Sequence, residues 1–263
     1  MVLITCGNGK FGRRLASHLR ARRMEVRVGS RQGNPAFDWS DEASWEPALE
    51  GVSQVAVVYV PDLAIPGAAE TVGRFAERAR GRRLMLLSGR GEKGAQAAEA
   101  ATLAVDSRAT VLRCAWFSQN FSESFFQDGI LDGELCLPVE KVFEPFVDLD
   151  DVAEVGAKAL VEGEFLGEVL DLTGPQLMTF PQAVAEIAQA AGRDIGFRTV
   201  PLDEYASWIS DADAQWLIRH LFAEVLDGRN AHLSDDLRRA LGRDPRPFSV
   251  YARRATSLEA WRV

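Results

Sequence analysis

The chain opens Met1-Val2-Leu3-Ile4-Thr5-Cys6-Gly7-Asn8-Gly9-Lys10-Phe11-Gly12 and, one amphipathic stretch later, reads Glu25-Val26-Arg27-Val28-Gly29-Ser30-Arg31. Residues 2–6 form a short apolar, β-rich run, and residues 11–23 place Leu15, His18 and Leu19 along one side of a helix. Residues 25–29 read as a second strand. Glycines in the turn let the backbone bend tightly and bring its N–H groups close to a pyrophosphate at the positive end of a helix. A lone Gly-x-Gly-x-x-Gly is a weak signal, but between a strand and a helix it becomes a strong one. Gly7, Asn8, Gly9, Lys10, Phe11 and Gly12 are therefore expected to hold the phosphates of a dinucleotide.

The same alternation continues outward. A short third strand is expected near Phe37, then a helix over 41–50, a buried strand over 54–60 and a helix over 67–80. A strand over 82–88, an alanine-rich helix over 94–105 and a strand over 110–115 follow. Strands separated by single helices imply right-handed crossovers and a parallel sheet. The expected fold is α/β, a Rossmann-type doubly wound parallel sheet with a small, mostly helical C-terminal substrate lobe. The nucleotide domain is expected over 1–150, and the last sheet elements plus the lobe over 151–263, interleaved. In that second part, 148–161 and 181–191 read as helices, 168–172 as a strand, and 203–241 as mostly helical.

The bulk numbers narrow the class. The 263 residues are 47% hydrophobic and 26% charged, ordinary for a globular chain, with net charge −8. That charge argues against nucleic acid or an anionic membrane surface as partner. Cys6, Cys114 and Cys136 are too few and too scattered for a disulfide framework, and His18, His220 and His232 show no metal-ligand spacing. With no leader pattern and no long apolar run, the expected location is the cytoplasm.

The end of the second strand selects the cofactor. An enzyme using NAD offers a carboxylate there for the ribose hydroxyls, but this chain has no acid between Glu25 and Asp38. Arg31 is suited to pair with a 2′-phosphate and Ser30 to hydrogen-bond it, so NADP(H) is the expected cofactor. Asp38 and Trp39 lie where the third strand should end, beside the adenine, and Val60-Pro61 closes the next strand on the ligand-binding edge. Ser88-Gly89-Arg90 and residues 114–120 end two further strands there and are expected around the nicotinamide.

These stretches resemble the NmrA-like branch of the atypical short-chain dehydrogenases. The resemblance is carried by residues 4–12, Val28-Gly29-Ser30-Arg31, Ala48-Leu49-Glu50-Gly51-Val52, and Thr110-Val111-Leu112-Arg113 running into Trp116-Phe117-Ser118-Gln119-Asn120-Phe121. Pro145-Phe146-Val147-Asp148 with Asp151-Val152-Ala153, Leu172-Thr173-Gly174-Pro175, and Tyr251-Ala252-Arg253-Arg254 with Trp261 extend it over nearly the whole chain. It implies NADP(H) held by the glycine loop and Arg31, in a family of quinone and imine reductases and non-catalytic redox sensors. Ser30-Arg31-Gln32-Gly33 followed by Phe37-Asp38-Trp39 is also similar to reductases of the ergot-alkaloid type, which act on iminium carbon. Cys6 stands where the family has a glycine, and Arg113-Cys114 where it has Arg-Pro.

The usual acid of short-chain dehydrogenases, a tyrosine with a lysine four residues later, is absent. Tyr59, Glu99 and His220 are the alternative donors, each with an ordinary structural reading as core, solvated helix and helix surface. Trp116, Phe117, Gln119, Asn120 and Phe121 are the expected substrate pocket, its aromatics suited to stack a flat substrate. Without the pair, the reading is hydride transfer from NADPH to a small electron-poor substrate: a quinone, an imine or an enone. A non-catalytic NADP(H) sensor and a ketoreductase with an unconventional proton donor remain open, as does monomer against dimer.

Overall fold

The computed structural model describes residues 1–262, which divide into two compact units. One joins Met1–Cys114 to Leu149–Leu172; the other joins Ala115–Asp148 to the segment from Thr173 onward. In chain order the first stretch gives β1 (Val2–Ile4), α1 (Lys10–Ala21), β2 (Val26–Val28), α2 (Trp45–Leu49), β3 (Gln54–Val57), α3 (Ala68–Arg78), β4 (Arg83–Gly89), α4 (Lys93–Val105) and β5 (Thr110–Cys114). The second unit contributes α5 (Gln127–Asp132), β6 (Glu134–Leu137) and β7 (Phe143–Glu144), and the chain then returns to the first with α6 (Leu149–Val161) and β8 (Val169–Leu172).

The first unit is a six-stranded sheet in the order β2-β1-β3-β4-β5-β8, every pair parallel. Alternate strand residues face opposite sides. Leu3, Val55, Val57, Leu84, Leu86 and Val111 join one buried cluster with Trp45, Phe75 and Ala98 from α2, α3 and α4. The other face meets α1 and α6, which pack on each other; a Cβ at Gly156 of α6 would touch Leu15, Leu112 and Met85 at 3.4–3.6 Å. Covering both faces explains the unbroken apolar runs of the central strands.

One expected element is absent. No strand forms near Phe37; the segment after β2 is a turn, with Gly33 and Phe37 amides both donating to the Ser30 carbonyl at 2.9 Å and a single bridge between Asp38 and Asp41. The alternation of Phe37 and Trp39 has a different cause. Both rings drop from the loop into an aromatic cluster with Trp45 and Phe75, centroids 5.0–6.0 Å apart. Pro35 offers no N–H to a ladder.

The second unit completes itself with β9 (Met178–Thr179), α7 (Phe180–Ala191), β10 (Gly196–Thr199), α8 (Leu202–Ser207), α9 (Ala212–His220), α10 (Asp236–Leu241) and α11 (Phe248–Ser257). β6 pairs with β10 in parallel and β7 with β9 in antiparallel fashion. Its core is aromatic: Phe121 lies 5.2–6.2 Å from the rings of Phe126, Phe146, Phe180 and Phe248. The Trp261 indole donates to the Phe121 carbonyl at 2.8 Å and the Tyr251 hydroxyl to Ser122 Oγ at 2.8 Å, tying the C-terminal helix to that core.

Candidate functional site

In the first unit the carboxyl ends of β1, β2 and β3 enclose a cleft of about 640 Å³. Its floor is Thr5 and Cys6, its near wall Asn8 and Gly9, and its far wall Ser30, Arg31 and the Phe37–Ser40 turn. Tyr59, Val60 and Pro61 close the third side, with Thr71 from α3.

The glycine turn has this shape because side chains would not fit. A Cβ on Gly12 would come within 2.4 Å of the Cys6 carbonyl oxygen and 2.6 Å of Gly7 Cα, so α1 starts directly against the turn. A Cβ on Gly7 would press on Val28 Cγ1 at 2.7 Å. The opening N–H groups of a helix have no carbonyl of their own to meet. The first turn of α1 also contains no acidic residue that would occupy them. Thr5 fixes the floor: its hydroxyl donates to the Val58 carbonyl at 2.9 Å and accepts from the Val58 amide at 2.8 Å, joining the ends of β1 and β3.

The charges around the cleft are unequal. Arg31 is exposed and, among the described residues, makes no hydrogen bond or ion pair; its charge reaches Asp38. Asp38 is committed to its own turn, its Oδ1 accepting from the Ser40 amide at 2.9 Å and the Ser40 hydroxyl at 2.7 Å. Those two bonds hold its carboxyl below the usual range, with a smaller contribution from Arg31. Burial pushes the Cys6 thiol up to about 11, a contact with Trp39 opposing it. Trp39 is itself anchored by its indole N–H to the Val58 carbonyl at 3.0 Å and packs 5.0 Å from Tyr59.

The comparisons with known proteins follow this geometry. No family model matches the chain. Agroclavine dehydrogenase of Claviceps fusiformis is 30% identical over 275 residues, covering 95% of each chain. This chain belongs to its family, the NmrA-like oxidoreductases. Prestalk A differentiation protein A of Dictyostelium discoideum is 26% identical over 281 residues, covering 97% of this chain and 92% of the relative. Among solved structures, an NADPH-dependent quinone oxidoreductase of Escherichia coli complexed with NADPH superimposes with a TM-score of 0.78 at 17% identity, over 97% of this chain and 100% of that one.

Within this NmrA-like protein, the expected cofactor residues separate by position. Asn8, Gly9, Ser30, Arg31, Asp38, Val60 and Pro61 line the cleft. Gly7, Phe11 and Gly12 are buried beneath it and shape the turn, while Lys10 opens the helix and its carbonyl accepts from Arg14 at 2.8 Å. Ser88 does not face the cleft: it is buried and its hydroxyl donates to Glu99 at 2.6 Å. Sequence reasoning passed over Thr5, Cys6, Gly29, Ser40 and Thr71, which also line the cleft. Only Gly29 carried a signal, as the residue on which the second strand ends.

Two of the three alternative acids are engaged elsewhere. Glu99 is buried and accepts from both Ser88 and the Arg113 guanidinium, Nε at 3.0 Å with Nη2 alongside. That pairing raises Arg113 and makes Glu99 a structural partner rather than a proton donor. Tyr59 belongs to the cleft beside Thr71, and burial lifts its phenol above the usual range, against the Thr71 hydroxyl and the Arg74 charge. That is the end of the sheet where Arg31 lies. His220, in the second unit, stacks on Trp216 with centroids 5.2 Å apart, has Nδ1 3.6 Å from Glu224, and buries Nε2 without a hydrogen-bond partner.

The expected substrate residues all lie in the second unit, and two of them are corrected. Phe121 is fully buried core, and Gln119 is buried with its amide donating to Asp148 at 2.9 Å. Asn120 is buried as well. Trp116 and Phe117 are half-buried, with Trp116 stacked parallel to Phe126 at 6.0 Å and Phe117 bridged to Val147. Cys114 is a buried thiol pushed far up by burial, so it holds no thiolate.

A second cluster closes the carboxyl edge of β4. Glu92, just before α4, is buried and hydrogen-bonded to the half-buried Asp62 of the loop after β3, while Arg90 pairs with Asp171 at 2.8 Å. An acid at a helix start reads as an ordinary cap, which is why the sequence did not single it out.

Proposed function

We propose that this chain is an NADPH-dependent reductase that transfers hydride to a small, electron-poor substrate such as a quinone, an imine or an enone. The observation that carries the reading is Arg31, an unpartnered guanidinium at the mouth of a glycine-walled cleft whose nearest carboxylate, Asp38, is already committed to Ser40. A 2′-phosphate supplies the partner Arg31 lacks. Asn8, Gly9 and the opening amides of α1 would hold the pyrophosphate, Ser30 and Arg31 the 2′-phosphate, and Val60, Pro61 and Trp39 the adenine. The bound cofactor supplies the hydride. The quinone oxidoreductase that shares this fold is described with NADPH, and the agroclavine dehydrogenase relative is named for redox chemistry, which supports the same reading. Trp116 and Phe117 are the surfaces on which a flat substrate would stack.

The test is NADPH oxidation across a panel of quinones, cyclic imines, enones and ketones, alongside cofactor binding to Arg31→Asp. The substitution is expected to weaken NADPH by about a hundredfold or more and NADH by much less, since it replaces a charge-assisted pair with repulsion. Equal losses for the two cofactors would refute the assignment. Tight NADPH binding without turnover on any substrate would leave a sensor instead.

A further inference from the structure

A substrate that receives hydride often needs a proton as well, and this chain lacks the tyrosine–lysine pair that would deliver it. At the carboxyl edge of β3 and β4 the structure holds a different acid. Glu92 is only 9% exposed, and its carboxyl lies over the last residue of β4, where a Cβ built on Gly89 would come within 2.3 Å of Oε1. The first turn of α4 seats just as closely on the loop after β3: a Cβ on Gly94 would meet the Leu63 carbonyl oxygen at 2.6 Å and Ala64 Cα at 2.8 Å. This interlock brings Glu92 against Asp62, whose Oδ1 is fixed by the Ala64 amide at 2.8 Å.

The two carboxyl groups share a hydrogen bond, and an ionised carboxylate only accepts, so one of them carries a proton. Glu92 precedes α4 but its side chain caps no helix amide, so the position that would favour its anion goes unused. The neighbouring cations are engaged with other acids, Arg90 with Asp171 and Arg113 with Glu99. Burial first, then the Asp62 charge and hydrogen bond, hold Glu92 well above the usual carboxylate range.

We propose that Glu92 is the proton donor of the reduction and Asp62 the partner that keeps it protonated, so that the substrate is one that gains both a hydride and a proton: a quinone or an enone rather than an iminium ion. The proposal rests on the reductase reading above. The substrate takes a hydride, with its electron pair, from the reduced nicotinamide, which is thereby oxidised. A quinone then becomes aromatic as its second oxygen takes the Glu92 proton; in an enone, hydride at the β-carbon makes an enolate that the same proton quenches. The Glu92 carboxylate recovers a proton from water by way of Asp62. An iminium carbon is neutralised by hydride alone and has no use for the acid.

The test uses Glu92→Gln, which copies the shape of the protonated acid, with Asp62→Asn as the second variant. Expected are unchanged NADPH affinity in both, quinone or enone turnover lowered about a hundredfold or more in Glu92→Gln, and little change on a cyclic iminium salt. In the cofactor-free protein at pH 7, the infrared carbonyl stretch of a protonated carboxyl should be present in the wild type and absent in Glu92→Gln. Asp62→Asn removes the neighbouring charge, so the fall of the rate with rising pH should move to lower pH. Full quinone and enone turnover by Glu92→Gln, a wild type active on iminium salts alone, an unmoved pH profile in Asp62→Asn, or no protonated carboxyl in the wild type would overturn the proposal. Failure of the wild type to bind NADPH would instead overturn the reductase reading beneath it, while the infrared band still reports on the acid pair.

Discussion

The cleft at the ends of β1–β3 and the rim at the ends of β4, β5 and β8 belong to one sheet edge but are made of different materials. The cleft is mostly backbone: a turn in which a Cβ on Gly7 or Gly12 would collide, helix amides, and one exposed cation, Arg31, with no partner. The rim is mostly side chain: Glu92 with Asp62, Arg113 with Glu99 and Ser88, Arg90 with Asp171, most of them buried and all engaged. A region that leaves a charge unanswered is prepared for a ligand. A region that answers every charge from within is prepared to hold groups in fixed protonation states.

That contrast can be broken from either side, and the rim should give the larger effect on stability. Arg113→Met leaves the buried Glu99 carboxylate without its cation and should cost on the order of 3 kcal/mol. Thermal unfolding would then fall by several degrees, while NADPH affinity changes little; the double variant with Glu99→Gln should recover most of the loss. Unaltered stability of the single variant would mean that the pair contributes nothing. Gly12→Ala comes next. A methyl group placed 2.4 Å from the Cys6 carbonyl must displace the turn. The expected cost is about 2 kcal/mol of stability, together with a loss of NADPH affinity of about tenfold or more, read by fluorescence titration. Retained affinity would show that the turn does not need its tight start.

The smallest effect sharpens the comparison instead of breaking it. A carboxyl whose pKa is raised on folding binds more protons in the native than in the unfolded chain, so its contribution falls as pH rises from the unfolded value near 4.5 toward the raised native one. Wild type should therefore lose stability between pH 5 and pH 7 relative to Glu92→Gln, measured as the difference of two denaturant curves at each pH. Parallel curves would mean that Glu92 titrates alike in both states.

The same contrast explains what the sequence disclosed. The cleft is local: residues 1–31 contain its turn, its helix start and Arg31, each needing only neighbours in the chain. Rossmann-type topology followed from the strand–helix alternation for the same reason. The rim is not local. Asp62 and Glu92 come from two loops and meet only because Gly94 lets α4 seat against Leu63, and Glu99 meets Arg113 across helix and strand. Glu99 therefore read as a free acid when it is a bound one, and Glu92 read as nothing more than a cap. Phe37 and Trp39 misled for a related reason, since an alternating pair sunk into an aromatic cluster looks like a strand until the cluster is seen. Phe121 read as a pocket wall because spacing cannot distinguish an aromatic lining from an aromatic core.

The exposure of Arg31 has a consequence for the medium in which the protein works. A guanidinium in open solvent on a chain of net charge −8 exerts its pull through mobile ions, and these shorten its reach to about 8 Å at physiological ionic strength. The pyrophosphate contacts, made by amides inside the turn, are common to both nicotinamide dinucleotides and are shielded from that screening. Discrimination between the phosphorylated and unphosphorylated cofactor is then not a fixed property of the fold: it narrows as salt rises and widens as salt is removed.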